Sequence, residues 1–117
     1  MKLAIVGSTV LEDSEALVKL AVSLWFTKLK ATCIVSGAAM GVDRIAAETA
    51  RLMGLEVIEF PPKTNNWEGY KERNMLIAKE CDKLLRIVSK RSTTYGSGWT
   101  RDRAKELGKP VFEIELP

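Results

Sequence analysis

The chain has 117 residues, of which 46% are hydrophobic and 28% are charged, and its formal net charge is +3. These values are typical of one soluble globular domain and argue against a disordered chain. Histidine is absent, which excludes a Ser-His catalytic triad and a His-ligated zinc site. No apolar run approaches the roughly 20 residues of a membrane-spanning helix. The first residues lack a signal-peptide layout, so we expect a cytoplasmic protein without a membrane partner.

Short apolar runs alternate with amphipathic stretches along the chain. The first run is stopped by Gly7-Ser8, after which Asp13 or Ser14 can cap a helix by accepting a backbone hydrogen bond. The runs that predict strands are Lys2–Val6, Thr32–Val35, Leu55–Phe60, Lys83–Val88 and Val111–Leu116. Later stretches predict a helix that begins at about Gly41 and ends just before Gly54, and two more over Tyr70–Cys81 and Gly98–Leu107. Residues 63–68 and 89–97 are expected to be loops.

Helical spacing predicts which side of each helix faces the core. On the first helix we expect the core face to be Leu17, Leu20, Ala21, Leu24 and Trp25. On the second helix we expect it to be Val42, Ile45, Ala46, Thr49, Ala50 and Met53. On the third helix Tyr70, Ile77 and Ala78 are expected to face the sheet.

The alternation predicts an α/β fold over residues 1–117, a three-layer, Rossmann-like, five-stranded parallel sheet with helices on both faces. Right-handed crossovers and one reversal of direction give the strand order 3-2-1-4-5. Ligands bind such sheets beyond the carboxyl ends of the strands, where the order reverses. We therefore expect a crevice between the first and fourth strands, lined by Gly7-Ser8, the 36–43 turn, the 63–74 region and the 89–98 loop.

The two cysteines do not indicate a metal site or a disulfide, and the charge distribution leaves the type of ligand open. Cys33 and Cys81 lie far apart without metal-ligand spacing, so we expect buried free thiols rather than a disulfide or a metal site, and no cofactor. Residues 1–60 hold six basic and seven acidic side chains, whereas residues 61–117 hold twelve and eight. A basic second half can face phosphates or nucleic acid, or it can consist of solvated helix faces.

The segment Ser36–Asp43 is a candidate phosphate-binding turn. Small residues that leave a strand allow close backbone approach, and the following helix offers free N–H groups to a phosphate. Ser36 can add a hydroxyl, and Asp43 can cap the helix or hold the turn. A tight strand-to-helix turn without a ligand is the alternative, because glycine-rich turns by themselves are weak motifs.

Several segments together resemble the SLOG superfamily, which includes the LOG phosphoribohydrolases, the Smf/DprA DNA-processing proteins and the small YspA-type proteins. The resemblance rests on Gly7-Ser8, on VSGAAMGVDRIAAETA around the 36–43 turn, and on NNWEGYKERNML, which contains Arg73-Asn74. It spans nearly the whole chain in the right order. It implies a Rossmann-type fold whose ligand is a nucleotide, a nucleotide-derived signal or nucleic acid.

Two further segments are expected to face this ligand. Arg73 can recognise phosphate through its planar fork, and Asn74 both donates and accepts hydrogen bonds. The hydroxyl- and glycine-rich stretch 92–100 is a second possible phosphate cradle, or a flexible loop with a helix cap. The full set of expected binding residues is Gly7, Ser8, Ser36, Gly37, Ala38, Gly41, Asp43, Arg73, Asn74, Thr94, Gly96, Ser97, Gly98 and Thr100.

The resemblance to LOG enzymes also implies a candidate catalytic pair. Their PGGxGTxxE motif lies over 96–102, where Asp102 takes the Glu position and Trp99 replaces the threonine, without Pro-Gly-Gly. In LOG enzymes an arginine and this glutamate act on an N-glycosidic bond, so Arg73 and Asp102 are the candidates here. Asp102 is one methylene shorter than glutamate, and it can instead simply favour the first turn of a helix.

The tryptophans have different expected roles. Trp25 is expected in the core, whereas Trp67 and Trp99 lie beside the predicted crevice. Each of these two can stack on a base, or can cap the core or a dimer interface.

The leading interpretation is therefore a homo-oligomeric protein that binds a nucleotide or nucleotide-derived ligand. The alternatives are a LOG-like phosphoribohydrolase and a DprA-like protein that binds single-stranded nucleic acid.

Overall fold

The computed structural model of the chain describes residues 1–90 and 96–117. The elements in chain order are β1 (Lys2–Gly7), α1 (Glu15–Lys28), β2 (Cys33–Ser36), α2 (Val42–Leu52), β3 (Glu56–Glu59), α3 (Trp67–Glu80), β4 (Lys83–Ser89), α4 (Gly96–Glu106) and β5 (Val111–Leu116). No helix in this described part is long and apolar enough to cross a membrane.

The strands form one parallel sheet in the order β3-β2-β1-β4-β5, which confirms the predicted fold class and strand order. β1 lies at the centre, and Ala4 is in register with Val35 of β2 on one side and with Leu84 of β4 on the other. The chain moves outward through β2 and β3, then returns past β1 to β4. This reversal separates the connections that follow β1 and β4 and opens a crevice between them.

Alternate residues of β1 enter two different cores, which gives the molecule three layers. Leu3 and Ile5 belong to the core under α1 and α2, whereas Ala4 and Val6 belong to the core under α3 and α4. All four side chains are almost completely buried. A strand buried on both faces needs the near-continuous apolar sequence that predicted it.

Helix α1 buries a different side from the one predicted. Its buried residues are Val18, Val22 and Phe26, while the expected core residues Leu17, Leu20 and Leu24 are 45%, 58% and 61% exposed. The prediction was wrong for these three leucines. Ala21 and Trp25, which were predicted to face the core as well, do pack against it. Helix α1 has apolar residues on nearly every side, so periodicity alone could not separate its two apolar faces.

Several predicted helix boundaries also require correction. Helix α3 begins at Trp67 rather than Tyr70, because the side chain of Asn66 caps it by accepting a hydrogen bond from Gly69 N at 2.9 Å. Helix α4 begins at Gly96 rather than Gly98. Ser14 occupies the amino-terminal cap position of α1, but its side chain makes no capping hydrogen bond with the described residues.

Smaller differences occur at the ends of α2 and β3. Met53 lies just beyond α2 and is 42% exposed instead of packing inward. Gly54 has a φ of +76°, as expected for the residue that ends a helix. Strand β3 covers Glu56–Glu59, a shorter segment than predicted. Cys33 and Cys81 are free and buried.

The two apolar sides of α1 predict opposite effects of truncation. Phe26→Ala removes a fully buried ring and is expected to lower the free energy of unfolding by about 3–5 kcal/mol. Leu24→Ala removes an exposed side chain and is expected to change it by less than about 0.5 kcal/mol. Urea denaturation of both variants measures the difference. Equal losses for the two variants would contradict this burial pattern.

Candidate functional site

Two adjoining cavities occupy the edge of the sheet where β1, β2 and β4 end. The smaller, of about 90 Å³, is lined by Val6, Gly7, Thr9, Ala39, Asp43, Arg73, Asn74, Ile77, Gly96, Ser97 and Thr100. The larger, of about 560 Å³, is lined by Thr9, Gly37, Ala38, Ala39, Met40, Pro62, Asn65, Trp67, Tyr70, Arg73, Asn74 and Gly96. The cavities share Arg73 and Asn74, so they form one crevice, at the position that the strand order predicts.

The Ser36–Asp43 turn forms one wall of this crevice. Ala38 and Gly41 have φ values of +58° and +76°, which fold the chain sharply between β2 and α2. A Cβ atom on Gly41 would collide with the backbone oxygen of Ser8. Only glycine combines this left-handed conformation with such close approach. Gly41 is therefore required by the turn itself, and it does not line either cavity.

The polar groups of the turn bond mainly to one another. The Ser36 hydroxyl accepts a hydrogen bond from Ala38 N at 3.2 Å, and Asp43 Oδ2 accepts one from Ala39 N at 3.4 Å. Ser36 and Asp43 are both buried. We expected the helix that follows the turn to offer free N–H groups to a phosphate, but its first N–H, that of Val42, donates to the Ser8 carbonyl at 3.0 Å. The N–H groups of Ala38 and Ala39 within the turn are occupied by the two side chains.

Asp43 is a buried carboxyl group with an altered acidity. Burial raises its pKa to about 6, although hydrogen bonds from the backbone of Ala39 and Gly37 and the charge of Arg73 oppose the increase. A carboxylate removed from water is costly unless charges and donors compensate for the lost solvation. The turn therefore holds a group that is negatively charged at neutral pH and neutral in mild acid.

Arg73 connects α3 to this turn across the crevice. Its Nη1 donates a hydrogen bond to the carbonyl of Gly37, and its guanidinium lies 5.6 Å from the centre of the Tyr70 ring. Burial lowers the pKa of Arg73, and the nearby Asp43 carboxylate opposes this effect. Its buried Nε atom has no hydrogen-bond partner among the described residues.

Gly37 makes this arrangement possible because it has no side chain. A Cβ atom there would lie 2.6 Å from Arg73 Nη1 and 2.9 Å from Asp43 Oδ2. Both distances are shorter than van der Waals contact, so a side chain at this position would separate the guanidinium from the turn.

The opposite wall consists of α3 and the first turn of α4. Asn74 is buried at the base of the crevice, and Gly96 lies beside it. The Ser97 hydroxyl accepts a hydrogen bond from Arg86 Nε at 3.0 Å, and Thr100 Oγ1 donates to the Gly96 carbonyl at 2.8 Å. The structure thus brings Ser97 and Thr100 to the crevice as predicted, with their hydroxyls already in contacts within the protein.

Three expected ligand-binding residues, Gly7, Ser8 and Gly98, serve mainly the packing of the protein itself. A Cβ atom on Gly7 would overlap the Ile87 carbonyl, so this glycine allows β1 and β4 to approach. Ser8 is completely buried and accepts a hydrogen bond from Ser89 N at 2.9 Å. Gly98 is buried and lines neither cavity. Of these three expected ligand-binding residues, Gly7 contacts the crevice.

Trp67 and Trp99 lie together at the mouth of the crevice. Their ring centres are 6.0 Å apart in an edge-to-face arrangement. Trp67 is 43% exposed and lines the larger cavity, whereas Trp99 is more buried and has the guanidinium of Arg103 4.9 Å above its ring. The face of Trp67 is thus the more accessible of the two for a stacking base.

Asp102 is not brought together with Arg73. It lies two residues after Thr100, which faces the crevice, and two residues are about 200° around an α-helix. Its carboxylate accepts a hydrogen bond from Arg101 Nε at 3.0 Å, and this ion pair lowers the pKa of Asp102. In the described part of the chain Asp102 lines neither cavity. The geometry does not support joint action of Arg73 and Asp102 on one ligand.

Several lining residues were not among the individually expected binding residues, although Asn65 and Met40 lie in segments that were predicted to line the crevice. Thr9 contacts both cavities, while Pro62, Asn65 and Met40 line the larger one. Tyr70 was expected to face the sheet, but it lines the larger cavity and its hydroxyl donates to Asn65 Oδ1. The missed signal is the cap at Asn66, which moves the start of α3 toward the crevice. The expected ligand residue Thr94 lies outside the described residues.

Comparison with known proteins finds a strong structural likeness to a DNA processing protein. No family model matches the chain, and no curated protein matches it. Its structure is similar to that of DNA processing protein A (DprA) from Streptococcus pneumoniae, with a TM-score of 0.80 and 25% sequence identity. The likeness covers 99% of this chain and 50% of the DprA chain, so the chain spans about half the length of that protein.

A second similar structure is the C-terminal domain of a hydrogenase from Pyrococcus furiosus, at 14% identity and a TM-score of 0.46, covering 97% of this chain and 89% of that one. That likeness is too weak to carry an argument. The DprA likeness supports the DprA-like, Rossmann-type fold, while membership of the wider SLOG superfamily stays a prediction.

The buried Asp43 carboxyl predicts a specific pH dependence of stability. Between about pH 4 and 6 the folded chain retains a proton that the unfolded chain has lost, so this group's contribution to the free energy of unfolding falls as pH rises. Asp43→Asn keeps an acceptor for Ala39 N but removes the titration. The unfolding free energy of the parent protein minus that of Asp43→Asn should fall by about 3 kcal/mol over this range and level off above it. Urea denaturation at a series of pH values measures this difference, and parallel curves would contradict the prediction.

Proposed function

We propose that the chain binds single-stranded nucleic acid, with one nucleotide unit held in the crevice. The observation that carries the proposal is the combination of Arg73 with Trp67 and Tyr70 around the larger cavity. A guanidinium suits a phosphate, and an exposed aromatic face suits a base. The crevice thus offers complementary groups for the two chemically different parts of a nucleotide.

Arg73 is the best phosphate-binding group of the crevice. Its guanidinium lines both cavities, donates through Nη1 to the Gly37 carbonyl and lies over the Tyr70 ring. The buried Nε without a protein acceptor can donate to a phosphate oxygen if the side chain turns toward the cavity. Because Ala38 N and Ala39 N already have acceptors, the phosphate depends more on this arginine than on the backbone of the turn.

Two observations favour a nucleic-acid strand over an isolated nucleotide. The first is the similarity to DprA, whose name describes it as a DNA processing protein. The second is the excess of basic over acidic residues in 61–117, which includes Lys71 and Arg103 beside the two tryptophans. Positive groups around an aromatic surface are characteristic of proteins that follow a phosphate backbone while they stack its bases.

A free nucleotide or nucleotide-derived molecule is the second candidate. The volume of the larger cavity, about 560 Å³, favours it, because small-molecule sites usually enclose about 300–1,000 Å³. The two candidates share the phosphate and base contacts and differ in whether the strand continues beyond the crevice.

Fluorescence anisotropy with a labelled single-stranded oligothymidylate tests the first candidate. Arg73→Ala should weaken binding by roughly tenfold or more, since it removes a charged hydrogen-bond donor. Arg51→Ala is the matched control, because Arg51 lies in the last turn of α2 and pairs with Glu59, away from the crevice. Thermal denaturation establishes that both variants are folded.

Salt and competition separate the two candidates. Strand binding should weaken steeply between about 50 and 200 mM salt, because phosphate contacts release counterions. Binding of a nucleoside 5′-monophosphate that displaces the oligonucleotide and responds little to salt would favour the second candidate. No binding of either probe at low salt would reject both.

The aromatic part of the site has its own test. Trp67→Ala should weaken oligonucleotide binding by about 5- to 150-fold, the effect of losing a stacked base. Trp67→Phe keeps an aromatic face and should retain most of the affinity. Equal affinities of the parent protein and Trp67→Ala would show that no base stacks on this ring.

A further inference from the structure

Helix α1 carries an exposed row of leucines that the fold does not use. Leu17, Leu20 and Leu24, here called the α1 stripe, are each about half exposed or more and belong to neither core of the described residues. Their spacing of three and four residues places them within about 60° of one another around the helix axis. The stripe faces away from Val18 and Phe26, which anchor α1 to the sheet.

Packing within the chain does not explain these leucines. Val18, Val22 and Phe26 are enough to hold α1, and a helix of this kind normally presents polar residues on its outer side. A continuous apolar row on an outer helix face is instead typical of a surface that another molecule covers.

The spacing of the stripe is self-complementary. If two copies of α1 lie antiparallel about a two-fold axis between positions 20 and 21, Leu17 of one copy faces Leu24 of the other at both ends. The two Leu20 side chains then meet beside the axis, next to the small Ala21. A two-fold interface requires that one patch fits itself, and this register satisfies that requirement.

The charges at the two ends of α1 fit the same antiparallel register. The exposed Asp13 comes just before the amino end of the helix, and the exposed Lys28 is its last residue. The register that pairs Leu17 with Leu24 also brings Asp13 of one copy beside Lys28 of the other. Glu15 at the amino end and Lys30 beyond the carboxyl end extend this complementarity, whereas parallel helices would place like charges together.

We propose that the α1 stripe is the interface of a homodimer in which two α1 helices pack antiparallel. Helix α1 lies on the opposite face of the sheet from α3, which carries Arg73 and Trp67. The proposal therefore does not depend on the ligand of the crevice. Three leucines from each copy make a small interface, so the dimer dissociates on dilution.

Sedimentation velocity over a range of protein concentrations tests the interface. The parent chain should change from monomer to dimer as concentration rises, and Leu20→Glu should be monomeric at concentrations at which the parent is a dimer, because it places two carboxylates beside the axis. Leu107→Glu is the matched control. Leu107 is 47% exposed but follows α4 on the other face of the sheet, and its substitution should leave dimerisation unchanged.

Charge exchange tests the antiparallel register. Asp13→Lys and Lys28→Asp should each weaken the dimer by roughly three- to tenfold, since each creates two like-charge contacts. Mixing the two variants should restore association, because every facing pair in the mixed dimer has opposite charges. The double variant Asp13→Lys/Lys28→Asp should also dimerise like the parent.

Three results would overturn the proposal. The first is a parent chain that stays monomeric at all concentrations, which would show that a second copy does not cover the stripe. The second is a dimer that persists in Leu20→Glu, which would place the interface elsewhere. The third is a pair of single-charge variants that dimerise like the parent, which would reject the antiparallel register.

Discussion

Ser8 joins three elements at the end of the central strand. Its carbonyl accepts a hydrogen bond from Val42 N at 3.0 Å, and its hydroxyl accepts one from Ser89 N at 2.9 Å. It therefore connects β1 to the first turn of α2 and to the end of β4. These bonds are possible only because Gly7 and Gly41 lack side chains that would strike the neighbouring backbone. The position of both walls of the crevice depends on this close approach.

The same constraint explains how the residues that line the crevice are arranged. Once α2 is held against β1, the Ser36–Asp43 turn uses its own side chains to satisfy its backbone, which buries the Asp43 carboxyl. Arg73 then approaches from α3 because Gly37 leaves room for its guanidinium. A buried acid and a partly buried guanidinium compensate one another there, at the edge where parallel sheets bind ligands. It is at this arrangement that we propose the phosphate of a nucleotide binds.

The crevice and the α1 stripe lie in different layers of the molecule. One is a concave crevice that is lined by charged, polar and apolar residues from four connections of the sheet, whereas the other is an apolar row on a single helix. Because the sheet separates α1 from α3, association through α1 leaves the mouth of the crevice near Trp67 open. A dimer would thus present two crevices, and a strand long enough to reach both would bind with increased effective affinity.

The sequence by itself determined the fold class, because the order of apolar runs and helical stretches allows few parallel arrangements. It also indicated which segments meet at the crevice, since the carboxyl ends of parallel strands lie at one edge. Only the tertiary structure decided the role of each side chain there. Ser36, Asp43 and Ser8 all have polar atoms suited to a ligand, but backbone N–H groups already occupy them, from within the same turn for Ser36 and Asp43 and from the distant Ser89 for Ser8.

Helix α1 shows that the sequence alone also could not decide which apolar residues are buried. Leu17 and Val18 each belong to an apolar row with helical spacing. Which of the two rows is buried depends on the rotation of α1 against the sheet. That rotation is set by the shape of the whole core around Phe26, not by the helix sequence alone. Local sequence determines which elements form, and long-range packing decides which of their surfaces remain free to bind other molecules.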